Sequence, residues 1–133
     1  MDKEIGILTE NITKNAPLEE ARFLEISQSI NCRFPSDYID FMKQYNGGEG
    51  VISDGWYVRF WPLEELQEAN EDYIVSEFAP KLLLIGSDGG DTAFGIKRQE
   101  GVFVEVPFIG LSDDNAIERG VDFKQFLSFL SRF

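Results

Sequence analysis

Two aspartates separated by two glycines are the residues of this chain whose spacing could do chemistry. Residues 88–91 read Asp-Gly-Gly-Asp and follow an apolar run at 82–85. Paired carboxylates can act as a general acid and base, or as oxygen ligands for calcium. A calcium loop of the EF-hand type needs further ligands at alternating positions, which residues 88–92 do not supply. Glycine-rich turns also let aspartates accept hydrogen bonds from backbone N–H groups, so we favour a structural role for Asp88 and Asp91 at a hairpin tip.

The absence of histidine removes most other routes to catalysis. The 133 residues include no histidine and one cysteine, Cys32. A Ser-His-Asp triad, a Cys-His pair and a zinc site built on Cys and His therefore cannot form. The glycine clusters also lack the Lys-Ser/Thr sequence that follows a phosphate-binding loop. The sequence thus predicts a protein that is not an enzyme, with no catalytic residues, no metal ligands and no cofactor, and with Cys32 as a buried structural thiol.

The charge of the chain restricts its partners. Twenty-four acidic and 12 basic residues give a formal net charge of −12. This charge repels nucleic acid and anionic membranes, whereas it attracts a basic protein, although acidity also serves solubility. No apolar run is long enough to span a membrane, and the first residues do not resemble a signal peptide. A lone cysteine also agrees with a reducing compartment, so we expect a cytoplasmic protein.

Helices are predicted near both ends of the chain. Residues 1–15 are expected to form an arm or a short helix. A helix is expected to begin near Pro17, with Asn15 as its candidate cap. The next begins at Phe34-Pro35 and ends at Asn46-Gly47-Gly48, where a left-handed residue can close it. The last covers residues 122–130, because its apolar residues recur at helical spacing after the candidate cap Asp122.

Strands are predicted in the middle of the chain. Residues 51–52, 56–61 and 102–106 have strand composition, and two further strands flank the 88–91 turn. A short helix is expected at 63–70, whereas residues 71–80 allow no firm assignment. Helices, then strands, then a helix indicate one α+β domain over residues 1–133, with a mainly antiparallel β-sheet packed against helices.

The two tryptophans are predicted to lie on opposite faces of one strand. Side chains alternate along a strand, so Trp56 shares a face with Val58, whereas Trp61 shares the other face with Tyr57 and Arg59. One tryptophan should face the core and the other should lie nearer the opposite surface. An exposed aromatic ring beside acidic residues would anchor a protein partner. The alternative is that helices cover both rings.

Several segments together resemble the SMI1/KNR4 (SUKH) superfamily. Residues 34–48 are similar to its signature LP-x-x-Y-x-x-F-(L/M)-x-x-x-N-G-G, with Phe34 where leucine is usual. Four further segments follow in the family's order. They are the strand with Trp56, the Trp61-Pro62 turn into a helix, the Ile85-Gly86-x-Asp88-Gly89-Gly90-Asp91 hairpin and the Phe-rich last helix. The resemblance covers roughly residues 17 to 132.

The resemblance implies a fold and a function. The implied fold is an antiparallel sheet with helices packed on it. Most bacterial members look like immunity proteins that bind and neutralise a cognate polymorphic or contact-dependent toxin, often a basic nuclease or deaminase domain. Fungal relatives are linked to control of cell-wall synthesis as interaction hubs. The family is not known for catalysis or cofactors.

We therefore expect a non-catalytic, protein-binding domain that neutralises a toxin by stoichiometric occlusion. The alternative is an intracellular regulatory scaffold without a toxin partner. The sequence does not specify the oligomeric state. The candidate partner contacts are Glu49, Trp56, Trp61, Asp88 and Asp91.

Overall fold

A seven-stranded antiparallel sheet organises the residues that the computed structural model describes, 2–132. The strands lie side by side in chain order and each neighbouring pair is antiparallel. Their bounds are β1 Thr13–Lys14, β2 Gly48–Val51, β3 Tyr57–Phe60, β4 Leu82–Ser87, β5 Thr92–Lys97, β6 Phe103–Pro107 and β7 Ile117–Gly120. The predicted α+β class is confirmed.

Helices precede, interrupt and follow this sheet. Their bounds are α1 Lys3–Leu8, α2 Glu20–Ser29, α3 Ser36–Tyr45, α4 Leu66–Asp72, α5 Val75–Phe78 and α6 Phe123–Leu130, with short 3₁₀ turns at Leu63–Glu65 and Asp113–Asn115. Within residues 2–132, none of the helices combines the length and the apolarity that crossing a bilayer requires.

The main core lies on one face of the sheet and is rich in aromatic rings. Phe123 of α6 lies among the rings of Tyr38, Phe41, Phe60 and Phe103, with centroids between 5.1 and 5.7 Å away. All five side chains are at most 2% exposed. Each such burial contributes about 1.5–3 kcal/mol, so this cluster holds α3 and α6 against the sheet.

A smaller core covers part of the other face. Val75 and Ala79, at the two ends of α5, are buried on Leu82 and Leu84 of β4 together with residues of β5 and β6. The corresponding surface of β2 and β3 remains exposed. This uncovered part of the sheet carries the candidate site.

The ends of α3 and α6 agree with the sequence prediction. Asn46 ends α3 in the left-handed conformation, with φ 56° and ψ 40°. Asp122 caps α6 by accepting a hydrogen bond from Gln125 N–H at 2.8 Å. Asp37 of α3 also accepts bonds from the N–H groups of Phe123 and Lys124, both at 3.0 Å. The two helices are therefore joined by a side chain as well as by the core.

The predicted start of α2 is wrong. The helix begins at Glu20, and its N-cap residue is Glu19, which makes no side-chain capping bond. Residues 13–14 instead pair with β2 as the edge strand β1, and residues 15–19 have no regular secondary structure. Asn15 bonds the end of α3, donating from its backbone N–H to Gly47 O at 3.1 Å and from Nδ2 to Asn46 O at 3.0 Å.

Candidate protein-binding face

The exposed side chains of β2 and β3 form the centre of the candidate site. Glu49 pairs across the ladder with Arg59, and Val51 pairs with Tyr57. All four side chains point away from the main core, because residues two apart on a strand share a face. We call the outer face the surface formed by Glu49, Val51, Tyr57, Arg59 and Trp61 together with the turn at residues 88–91.

A polar network fixes the side chains in the middle of the outer face. Tyr57 Oη donates a hydrogen bond to Glu49 Oε2, and Arg59 Nε lies 3.2 Å from the same oxygen. Hydrogen bonding with Tyr57 and the negative charge of Glu49 raise the pKa of the Arg59 guanidinium. These shared contacts link the three side chains across the β2–β3 ladder.

The predicted Asp-Gly-Gly-Asp hairpin lies beside this network. A β-carbon on Gly89 would be 3.3 Å from Tyr57 Cε1, so the turn approaches the tyrosine ring closely. Gly89 has a φ of +82°, which glycine adopts at little cost. Asp88 Oδ1 accepts bonds from Gly90 N–H at 2.8 Å and Thr92 N–H at 3.2 Å. Asp88 therefore stabilises the turn, whereas the Asp91 side chain is exposed to solvent.

A cleft of about 370 Å³ adjoins the same face, between β2, β3 and the turn into α4. Its walls include Glu49, Trp61 and Glu64. Buried Asn46 holds one side of the cleft: its Nδ2 donates to Glu64 Oε1 at 2.8 Å and its Oδ1 accepts from Leu63 N–H at 2.9 Å. The helix C-cap thus also positions an exposed carboxylate.

Trp61 lies at the border between the outer face and the smaller core. Its side chain is half-buried and packs against residues of both the smaller core and the main core. The ring of Tyr73, which follows α4, stacks on it with an angle of 10° between the planes. Tyr73 also contacts the ring of Phe108, whose centroid is 4.7 Å away. Trp61 therefore connects the outer face to the α4–α5 region.

Trp56 lies on the opposite side of the sheet from the other candidate residues. Its half-buried ring is 5.8 Å from that of Phe94 and 5.7 Å from that of Phe129. The prediction that the tryptophans occupy opposite faces therefore agrees with the structure. The structure brings Glu49, Trp61, Asp88 and Asp91 to one side and leaves Trp56 beside the main core.

The outer face contains few of the groups that catalytic sites use. Among residues 2–132, no three His, Cys, Asp or Glu side chains are grouped so that they could hold a metal ion. The one thiol lies elsewhere: Cys32 is half-buried rather than fully buried as predicted, and its desolvation raises its pKa to about 12, which makes it a poor nucleophile at neutral pH. What the face offers is carboxylates, one ion-paired arginine and aromatic rings.

Two aromatic residues of this region were not among the predicted contacts. Tyr57 and Tyr73 are 40% and 43% exposed, more than either half-buried tryptophan. The alternation along residues 56–61 already placed Tyr57 on the face of Trp61 and could have identified it. Tyr73 gave no such signal, because its position depends on how residues 71–80 fold onto the sheet.

Comparison with protein families gives one match. The model of the SMI1/KNR4 family (SUKH-1) matches residues 17–128, from before α2 into α6. Comparison with curated proteins finds no match.

Proposed function

The chain belongs to the SMI1/KNR4 family (SUKH-1), and we propose that it is an immunity protein that neutralises a cognate toxin by stoichiometric occlusion. In this proposal the outer face binds the toxin domain and blocks its active site. The partner is a basic nuclease or deaminase domain, and neutralisation takes place in the cytoplasm. No bond is made or broken.

The observation that carries the proposal is a preorganised face left uncovered in a strongly acidic protein. Glu49 and Asp91 are exposed on this face and Glu64 is exposed in the adjoining cleft, and the chain has a formal net charge of −12. A nuclease or deaminase must attract nucleic acid, so its active site is typically cationic. An acidic face that covers such a site gains rapid association from the opposite charges and rejects acidic competitors.

Aromatic rings supply the second element of such an interface. Charge alone accelerates the encounter, whereas slow dissociation requires large side chains that are desolvated on binding. Tyr57 and Trp61 lie beside the acidic groups, and their contacts with Glu49 and Tyr73 limit their freedom in the unbound protein. Little side-chain entropy is then lost on binding.

The proposal predicts a toxin gene beside the gene of this chain, and it is tested by expressing that toxin domain alone and together with the chain. We expect the chain to restore growth and to co-purify with the toxin domain. The double variant Glu49→Lys/Asp91→Lys should lose protection. The control Glu25→Lys/Glu100→Lys has the same net charge but changes exposed residues on α2 and at the end of β5 opposite to residues 88–91, and it should still protect. A toxin domain that neither binds the chain nor is inhibited by it would contradict the proposal.

The regulatory scaffold predicts a different outcome of a pull-down from the native host. Capture of the secreted toxin through its C-terminal domain would support the immunity role. Capture of cytosolic regulatory proteins alone would favour the scaffold, because the chain would then have regulatory partners and no toxin partner.

A further inference from the structure

We propose that residues 73–78, at the α4–α5 turn, form an apolar anchor that inserts into a hydrophobic pocket rimmed by lysine or arginine on the protein partner. This inference rests on the proposed function and specifies the chemistry of the partner surface. We call these residues the 73–78 segment.

Exposed apolar side chains distinguish the 73–78 segment. Tyr73, Ile74 and Phe78 are 43, 48 and 55% exposed. Two buried residues fix the segment to the protein, since Val75 and Ala79 are 1 and 0% exposed in the smaller core. A short helix held so firmly presents its remaining apolar side chains outward on a rigid support. Rigid apolar side chains lose little entropy on binding, as interface anchors require.

The backbone at Ile74 is held in an unfavourable conformation. Its φ of 55° and ψ of 42° lie in the left-handed region. A β-branched residue is rarely found there, because its side chain clashes with the backbone, whereas glycine or asparagine would avoid most of the cost. Strain of this kind persists where the surroundings impose it, and it is concentrated at functional sites. Here it turns the chain between α4 and α5 and projects isoleucine into solvent.

The neighbouring charges specify the partner. Glu71, Asp72 and Glu77 are all exposed and surround the apolar side chains with negative charge. A complementary surface therefore has an apolar pocket with a cationic rim. A second copy of the chain is disfavoured, because it would bring the same three carboxylates and a further −12 charges.

The anchor is continuous with the outer face. Tyr73 of the segment contacts Trp61 of the outer face, and their rings stack with centroids 6.1 Å apart. A partner that covers the outer face can reach the 73–78 segment across this stack. The acidic face then serves rapid encounter, and the apolar segment serves slow dissociation.

The test measures binding of purified variants to the toxin domain of the neutralisation experiment. We expect Phe78→Ala and Ile74→Ala each to weaken the affinity at least tenfold, mainly through faster dissociation. Ile7→Ala and Leu24→Ala are matched controls, because these apolar side chains are similarly exposed, at 55 and 41%, on α1 and α2. The controls should bind within twofold of the wild type.

The binding measurements distinguish an error in the anchor from an error in the immunity role. If the wild type binds the toxin domain and both anchor variants bind equally well, the anchor is wrong and the immunity role stands. If the wild type does not bind, both proposals are overturned. A dimer that Phe78→Ala dissociates in sedimentation, or binding to phosphatidylglycerol vesicles that Phe78→Ala abolishes, would also overturn the anchor.

A measurement on the free chain tests the strained turn. Ile74→Gly removes the clash, so we expect a Tm equal to or above that of the wild type together with weakened toxin binding. Ile109→Gly is the control, because Ile109 is 89% exposed and its φ is not positive. A Tm that falls as far for Ile74→Gly as for Ile109→Gly would overturn the argument from strain.

Discussion

The ring of Tyr73 stacks on the ring of Trp61, with their centroids 6.1 Å apart and their planes 10° apart. This contact joins the α4–α5 region to the strand that carries the polar network of Tyr57, Glu49 and Arg59. The two rings together extend one surface from the sheet to the α4–α5 region.

The stack predicts that Tyr73 controls the environment of Trp61. Tyr73→Ala should shift the NMR resonance of the Trp61 indole N–H, because a ring current over that indole is lost. Tyr73→Phe should preserve the resonance, since it retains the ring. Trp56 serves as an internal reference because it lies on the other side of the sheet. A Trp61 resonance unchanged in Tyr73→Ala would contradict the stacked arrangement.

The two aspartates of the hairpin should differ in their effect on stability. Asp88→Ala removes the acceptor for two backbone N–H groups, so we expect the free energy of unfolding to fall by about 1–2 kcal/mol. Asp91→Ala changes an exposed side chain and should cost no more than about 0.5 kcal/mol. Urea unfolding measures both values. Equal losses would show that Asp88 has no special role in the turn.

Asn46 should stabilise the protein through its backbone and through its side chain. Asn46→Ala places a β-carbon in a left-handed position and leaves Leu63 N–H without its acceptor, so we expect a loss of about 2–4 kcal/mol. Asn46→Gly keeps the conformation and loses only the side-chain bonds, so a loss of about 1–2 kcal/mol is expected. Denaturant midpoints test this order, and an alanine variant as stable as the glycine variant would contradict it.

Cys32 should react slowly in the folded protein. Desolvation raises the pKa of its thiol to about 12, so almost no thiolate is present at pH 8, whereas an unfolded thiol has a pKa of roughly 8.5. We expect maleimide labelling to be slow in buffer and fast in urea. The folded state binds this proton more tightly, so the stability contribution is complete below the unfolded pKa and is lost as the pH rises toward the folded value. Equal labelling rates would contradict the burial.

Sequence patterns predicted the elements that have local signals. α3 and α6 combine a clear apolar period with identifiable ends, Asn46-Gly47-Gly48 and Asp122. β1 and β7 were not predicted, because strands of two and four residues at the sheet edges are defined by the partner they pair with. The start of α2 was misplaced because residues 13–14 pair with β2 as β1, and the helix begins only at Glu20.

The candidate site was partly predictable for similar reasons. Alternation along β3 separated Trp56 from Trp61 correctly. Turn chemistry also predicted that Asp88 accepts hydrogen bonds from backbone N–H groups of its own turn, as the structure shows. The sequence could not show that Tyr73 stacks on Trp61, because that contact depends on how residues 71–80 fold onto the sheet. The surface therefore depends on Tyr57 and Tyr73 as much as on Glu49, Trp61, Asp88 and Asp91, whereas the fifth predicted contact, Trp56, lies on the other side of the sheet.

An inhibition titration tests the central claim most directly. The catalytic activity of the purified toxin domain is measured at a fixed concentration while the chain is added, at low and at high salt. We predict a linear loss of activity that is complete at one chain per toxin domain, with an association rate that falls as salt rises. Full activity in the presence of excess chain would contradict the immunity role.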